Sequence, residues 1–307
     1  MLETSLPNAF VNRMQQQLGD EALSFFQSLS EVPPVSIRYN PRKLTTFNNE
    51  DAVAWCKDAY YLSERPIFTL DPLFHAGAYY VQEASSMFIG FALAQLIDFN
   101  QSLTAIDLCA APGGKSTHLL SLLNAESTLF SNELISNRNS ILRENITKWG
   151  CANTIVTQAN AYDYSQSGVV ADIILVDAPC SGEGMFRKDK NAITEWSEEN
   201  VNSCSIRQTE IVDSIKNCLR EDGILVYSTC TYNEIENDDI IKHLLSSDEF
   251  EKINLIDLPE GITKTKHGYQ FYPHKIKGEG FYCSILKYIG ESKTDPKVSN
   301  LKPALNY

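Results

Sequence analysis

The sequence of 307 residues has no apolar run near the roughly 18 residues that a membrane-spanning helix needs. Its start, MLETSLPNAF, carries neither the basic stretch nor the apolar core of an export signal, so a cytoplasmic protein with no membrane partner is expected. Positive charge is scarce. The 26 Lys and Arg stand against 39 Asp and Glu, and the net charge of −13 excludes nucleic-acid binding by bulk attraction. No pair among the eight cysteines forms CxxC, and the five histidines stand apart from them, so no metal site is expected. In a reducing compartment the cysteines are expected as thiols, most of them small buried hydrophobes. Internal repeats and low-complexity tracts are absent too, which excludes a solenoid.

What is present is ordinary for a globular protein: 43% hydrophobic and 21% charged residues, in a chain long enough for one large domain and a small one. Residues 6 to 29 read as two short helices, because Leu6, Phe10, Met14 and Leu18 recur every four positions and Leu23, Phe26 and Leu29 every three. Pro33-Pro34 stops the second, and Val35 to Tyr39 alternates as a strand. Asn49 to Cys56 reads as a helical turn. Tyr79-Tyr80-Val81 has strand character and leads into a helix carrying Met87, Phe88, Phe91 and Leu96. Strands are then predicted near 103–109, 127–132, 153–158, 171–177 and 223–229, with helices near 114–124, 136–149, 199–219 and 233–246. This alternation predicts an α/β fold with a doubly wound, mostly parallel sheet. Phe281 to Tyr288 is expected to close it as an antiparallel edge strand. The division expected is an accessory domain over 1–75, a catalytic domain over 76–290 and a polar tail over 291–307.

The strand Ala105-Ile106-Asp107-Leu108 runs into a loop of small residues, Cys109, Ala110, Ala111, Pro112, Gly113 and Gly114, and then into a helix after Lys115-Ser116. Such a unit lets a ligand approach the backbone at a helix N-terminus. Four readings compete: a P-loop, which lacks the required Gly at 109; a dinucleotide fingerprint, whose GxGxxG is missing; an S-adenosylmethionine loop; and a plain turn. Glu133 ends the next strand, 19 positions past Gly114, about where a ribose-binding carboxylate falls. Asn160 follows the third strand, where an adenine would lie, although Asn there also suits a turn.

The run DIILVDAPCSGEG is a buried strand followed by Asp177, Pro179 and Cys180, and ILVYST ends in Cys230. Both cysteines thus sit just past the carboxyl ends of strands, where ligands of open α/β sheets bind. A strand ending in Asp also resembles a Walker B strand, but no complete P-loop accompanies it. A cysteine beside a methyl donor points to a particular reaction. Carbon 5 of a pyrimidine is a poor nucleophile, and a thiolate adding to carbon 6 activates it. Lys115 and Lys188 are candidate cations for the thiolate. Asp177 could hydrogen-bond the cytosine edge. Three basic clusters could give a local nucleic-acid face: Arg38, Arg42 and Lys43; Arg187, Lys188 and Lys190; and Lys264, Lys266, Lys275 and Lys277 interleaved with Tyr269, Phe271 and Tyr272.

DLCAAPGGK, DAPCSGEGMFRK, YSTCTYNEIEN and GAYYVQEASS resemble, in order, the motifs of the Sun-type (Nol/Nop/Sun) RNA cytosine carbon-5 methyltransferases, and PHKIKGEGFYCSILK resembles that family's closing stretch. The resemblance implies a class I, Rossmann-like methyltransferase fold and S-adenosylmethionine as cofactor, held by Cys109 to Lys115, Glu133, Asn160 and Asp177. The family commonly has Asp where this chain has Asn160. By the same resemblance Cys230 is the nucleophile and Cys180 assists product release, beside Asp177. The N-terminal stretch and loops are similar to the bacterial subgroup acting on small-subunit ribosomal RNA, so the expected partner is RNA, ribosomal rather than transfer RNA, met by a monomer. Arg187, Lys188 and Lys190 are the expected RNA contacts. Competing readings are a transfer-RNA enzyme, a noncatalytic RNA-binding relic and a P-loop-like NTPase.

Overall fold

The computed structural model describes residues 6–43 and 51–291; the expected tail from 292 on lies outside them. Two antiparallel partners flank β1 (Val35–Tyr39), namely β2 (Ala59–Leu62) and β3 (Tyr79–Val81), in a three-stranded sheet. Ahead of it lie α1 (Asn8–Leu18) and α2 (Ala22–Ser28); behind it, α3 (Pro72–His75) and α4 (Phe88–Ala94). The large sheet takes β4 (Thr104–Asp107), β5 (Thr128–Asn132), β6 (Thr154–Thr157), β7 (Ala171–Asp177), β8 (Leu219–Thr229), β9 (Phe250–Lys252), β10 (Thr263–Lys264), β11 (Tyr269–Phe271) and β12 (Phe281–Tyr288). Its order is β10-β11-β12-β8-β7-β4-β5-β6, with β9 paired to β12. The pairs from β8 to β6 are parallel. The connecting helices are α5 (Gly114–Leu122), α6 (Ser136–Trp149), α7 (Ala161–Ser165), α8 (Lys190–Glu195), α9 (Glu198–Ile215) and α10 (Asp238–Leu245). The doubly wound α/β sheet is the one the sequence predicts.

Side chains on alternate residues enter opposite cores. Ala105, Ile173, Leu175 and Val226 face one apolar cluster, while Ile106, Ile174, Val176 and Leu225 face the other. Burial on both faces explains why these strands read as continuous apolar runs. The chain steps outward from β4 to β5 and β6 and then returns to the other side of β4. That reversal opens a crevice beyond the strands' carboxyl ends.

The N-terminal segment attaches in two ways. Phe10, Met14, Phe25 and Leu29 pack with Phe186, Trp196, Tyr232 and Tyr272. Arg38 of β1 lies buried over the Trp149 ring, 4.7 Å from its centre. Its guanidinium donates to Gln82, Ser121, Thr117 and the Gly114 carbonyl. Burial lowers its pKa to about 10. Arg38 is therefore a strut. The same holds for Arg42, which donates to the Leu120 and Leu123 carbonyls at the end of α5, and for Lys43, on the Ala76 and Lys148 carbonyls. Of the first basic cluster, Arg38 is buried and withdrawn from any nucleic-acid face, while Arg42 and Lys43 stay exposed.

Three expectations are corrected. Within Asn49 to Cys56, residues 49–50 lie outside the described set; the rest is not helical, because Ala52 bridges Tyr60 and the Val53 amide bonds Ala59. The strand β12 is interior, since β11 and β9 both bond to it. Helix α10 starts at 238 rather than 233, because Asn233, Glu236 and Asn237 turn their side chains onto backbone groups instead.

Ile106 is fully buried in the central strand. Ile106→Ala is expected to cost about 2–5 kcal/mol, read as a lower urea midpoint at unchanged slope.

Candidate active site

The site lies where β4, β5, β7 and β8 end. Gly113 precedes α5 with φ of +114°, a left-handed conformation that glycine adopts readily. Behind this turn, Asp107 is fully buried and its Oδ2 accepts from Ser116 Oγ at 2.6 Å, while Oδ1 has no partner among the described residues. Burial, then the charge of Asp177, raises its pKa to about 7. Across the sheet, Asp177 closes β7. Its Oδ1 accepts from Ser228 at 2.8 Å and its Oδ2 from the Lys115 ammonium at 2.7 Å. Burial pulls the Lys115 pKa down, but Asp177 outweighs it and the ammonium titrates above its ordinary value.

The parallel register of β7 and β8 sets Asp177 opposite Ser228. Cys180 and Cys230 follow within three residues, and their sulfurs come to 3.2 Å. The Cys230 amide donates to Cys180 Sγ at 3.3 Å. The hydrogen bond that the Cys180 thiol shares with the Cys230 sulfur, then burial, pushes the Cys180 thiol well above its ordinary range. Cys180 therefore rests protonated at neutral pH. The turn after it needs glycine at 184: the Gly184 amide donates to the Cys230 carbonyl, and a Cβ there would lie 2.4 Å from the Gly280 oxygen.

A cavity of about 950 Å³ gathers Cys109, Glu133, Asn160, Asp177, Cys180 and Cys230. Ala110 to Lys115 do not line it; they form the turn behind Cys109, and Lys115 reaches it through Asp177. Burial raises the Cys109 thiol. Glu133 accepts from the Ile135 amide at 2.9 Å and lies 3.5 Å from Arg138. Asn160 caps α7 by accepting from the Asp163 amide at 2.8 Å, the turn role that its position also suggested, and its amide nitrogen adds a donor to the lining. The other five cysteines are buried.

Charge at the rim differs from expectation. Arg187 is not free to meet a phosphate. Its side chain is 3% exposed and pairs at 3.0 Å with Glu279, itself 2% exposed, while donating to the Gly278 carbonyl. Lys188 lies 3.6 Å from the same carboxylate, and Lys190 is exposed at the start of α8. Tyr269, Phe271 and Tyr272 are core residues, so the third basic cluster has no exposed aromatics to stack a base.

Sequence reading missed two groups. Arg207, Glu210, Ile211 and Ser214 of α9 form the far wall. Their spacing of three, four and seven was a visible helical face. Glu236, within YNEIEN, is buried and accepts from the Ser181 amide at 2.8 Å.

The family model described as 16S rRNA methyltransferase RsmB/F matches residues 94–287, and that of the N-terminal domain of 16S rRNA methyltransferase RsmF matches residues 6–84. The ribosomal RNA small subunit methyltransferase F of Psychromonas ingrahamii is 32% identical over 97% of this chain, and that of Escherichia coli 33% identical over 92%. The chain spans 66% and 63% of those proteins, just under two thirds of their length. A methyltransferase homolog protein from Pyrococcus horikoshii is similar in structure, with a TM-score of 0.78 at 25% identity, covering 92% of this chain and 95% of that one. NSun6 from Pyrococcus horikoshii, solved with SFG, shares the fold with a TM-score of 0.76 at 19% identity, over 93% and 99% of the two chains.

The buried Asp107 predicts a pH effect. Its carboxyl titrates near 7 when folded against an ordinary 3.8, so between these values the folded chain holds a proton that the unfolded chain has lost. This group therefore subtracts stability as pH rises through that window. Melting curves of Asp107→Asn are expected to gain on the parent steadily from about pH 4 to about pH 7 and then run parallel. A constant offset would mean that Asp107 is ionised throughout.

Proposed function

The chain belongs to the 16S rRNA methyltransferase RsmB/F family, and from that premise we propose that it methylates carbon 5 of a cytosine in RNA, taking the methyl group from S-adenosylmethionine. The observation that carries the reading is the pair of thiols at 3.2 Å on the rim of a cavity that also holds Glu133 and Asp177. A cavity of about 950 Å³ is ample for a nucleoside-sized ligand. Its lining fits as well: Glu133 for ribose hydroxyls, Asn160 at the adenine end, and Cys109 with Asp177 for the rest, backed by the turn from Ala110 to Lys115. When bound, the cofactor supplies an electrophilic methyl.

Cys230 adds through sulfur to carbon 6 of a cytosine turned out of its stack. The ring electrons shift to carbon 5, which takes the methyl. Loss of the carbon 5 proton then expels the sulfur and restores the ring. Lys115 offers a cation beside the thiolate. Asp177, accepting from Lys115 and Ser228, keeps lone pairs for the cytosine amine. Cys180 is the second group, acting at release. Ribosomal RNA of the small subunit is the proposed substrate, supported by the names of the relatives; of the predicted RNA contacts, Lys188 and Lys190 remain for the backbone, without Arg187.

Two experiments test this. Calorimetry on Glu133→Ala is expected to show at least about a tenfold loss of cofactor affinity, since hydrogen bonds to a charged group are worth roughly 1.5–3 kcal/mol. On a denaturing gel, Cys230→Ala with cofactor and RNA is expected to give no protein–RNA conjugate, while Cys180→Ala accumulates one. The reverse pattern would make Cys180 the nucleophile, as in DNA-type enzymes. No effect of either substitution on methyl transfer would sink the mechanism.

A further inference from the structure

Cys180 does not sit in a free loop. The turn Pro179-Cys180-Ser181 is gripped at both ends by side chains from outside it. On one side Gln208 of α9 donates to the Pro179 carbonyl at 3.0 Å. On the other, the Ser181 amide donates to Glu236, at 2.8 Å to Oε1 and 3.3 Å to Oε2. Gln208 links the two grips through a weaker contact to Glu236 Oε1 at 3.4 Å. Glu236 is itself fixed: its residue is fully buried and its carbonyl accepts from the Tyr227 hydroxyl at 2.7 Å.

A fully buried carboxylate is costly unless it is paired or hydrogen-bonded. The partners of this one among the described residues are Ser181 and the neutral side-chain amide of Gln208, not a cation. Burial accordingly pushes its pKa up to about 7, with the Ser181 hydroxyl and then the Ser181 amide pulling the other way. An apolar residue could fill this space at lower cost, so retention of a charge here needs a reason. The reason is directional. A carboxylate accepting an amide fixes that amide's direction, and the amide belongs to the residue that follows Cys180.

We infer that Glu236 is a positioning residue: through the Ser181 amide it holds Cys180 against the covalent intermediate, and so governs product release rather than attack. The inference rests on the reading of Cys180 as the release group. Cys230 follows the end of β8, whose register against β7 is set by the strand pairing rather than by Glu236.

The test uses the full chain, an unmodified small-subunit ribosomal RNA transcript and labelled S-adenosylmethionine. Single-turnover methyl transfer and the fraction of protein trapped as RNA conjugate are read in parallel for Glu236→Ala, Glu236→Gln, Cys180→Ala and the parent. Glu236→Ala is expected to slow release about tenfold or more, far more than it slows methyl transfer, and to accumulate conjugate. Glu236→Gln keeps an oxygen acceptor for the Ser181 amide and is expected to recover most of the release rate at unchanged melting temperature. If Glu236→Ala slows both steps alike, or if Glu236→Gln fails as badly as alanine while remaining folded, the positioning role is wrong. If Cys180→Ala traps no conjugate, the fault lies instead in the reading of Cys180.

Discussion

The parallel pairing of β7 with β8 is the constraint on which the site depends. It sets Asp177 opposite Ser228, so the two chains leave the sheet at one level. Three residues beyond one and two beyond the other, a sulfur must appear at nearly the same place. The hydrogen bonds of the ladder continue past the strands, since the Ala178 amide reaches the Ser228 carbonyl and the Gly184 amide the Cys230 carbonyl. A slip of one position would turn every side chain of β8 to the other face and carry Cys230 away with it. The apolar side chains of both strands, fully buried in two clusters, forbid that slip.

Around this pair the protein spends buried charge on fixing loops. Glu279 holds Arg187 and, at longer range, Lys188. Glu183 takes Arg13 from α1, the Trp196 indole and the Tyr232 amide, which lies two residues past Cys230. Glu83 caps the Ser85 and Ser86 amides and receives the Glu279 amide. Glu183 and Glu83 point at backbone N–H groups of loops that a purely apolar core would leave undirected, while Glu279 takes the two cations. Such networks are unforgiving, because one lost partner leaves a buried group unpaired. The chain therefore has few ways to move the two cysteines apart.

Much of this was legible in the sequence, for identifiable reasons. Buried parallel strands are short apolar runs ended by polar residues, so β4, β7 and β8 stood out, and the small-residue turn after β4 announced a ligand loop. The acid at 133 lines the same cavity as Cys109 and the two facing cysteines. What stayed hidden was partnership. Nothing in RKDK told that Arg187 would be consumed by Glu279, ninety-two positions away. Nothing in YQFY distinguished core aromatics from stacking ones. Strand β12 read as an edge because its partners β9 and β11 are three residues each, too short to register as strands. Glu236 was written inside a recognised motif, but its meaning lay in the Ser181 amide that it meets.

The buried guanidinium of Arg38 bears on how the chain comes apart. Its acceptors belong to the N-terminal sheet, to α5 and to the turn that opens α5, and its flat face rests on the last residue of α6. If the small sheet opened alone, that guanidinium would leave a set of acceptors stranded and Trp149 uncovered. Local opening at this seam therefore carries the cost of those unpaired groups. The small sheet and the turn that opens α5 are coupled through this one side chain, so a lesion in either is expected to loosen both.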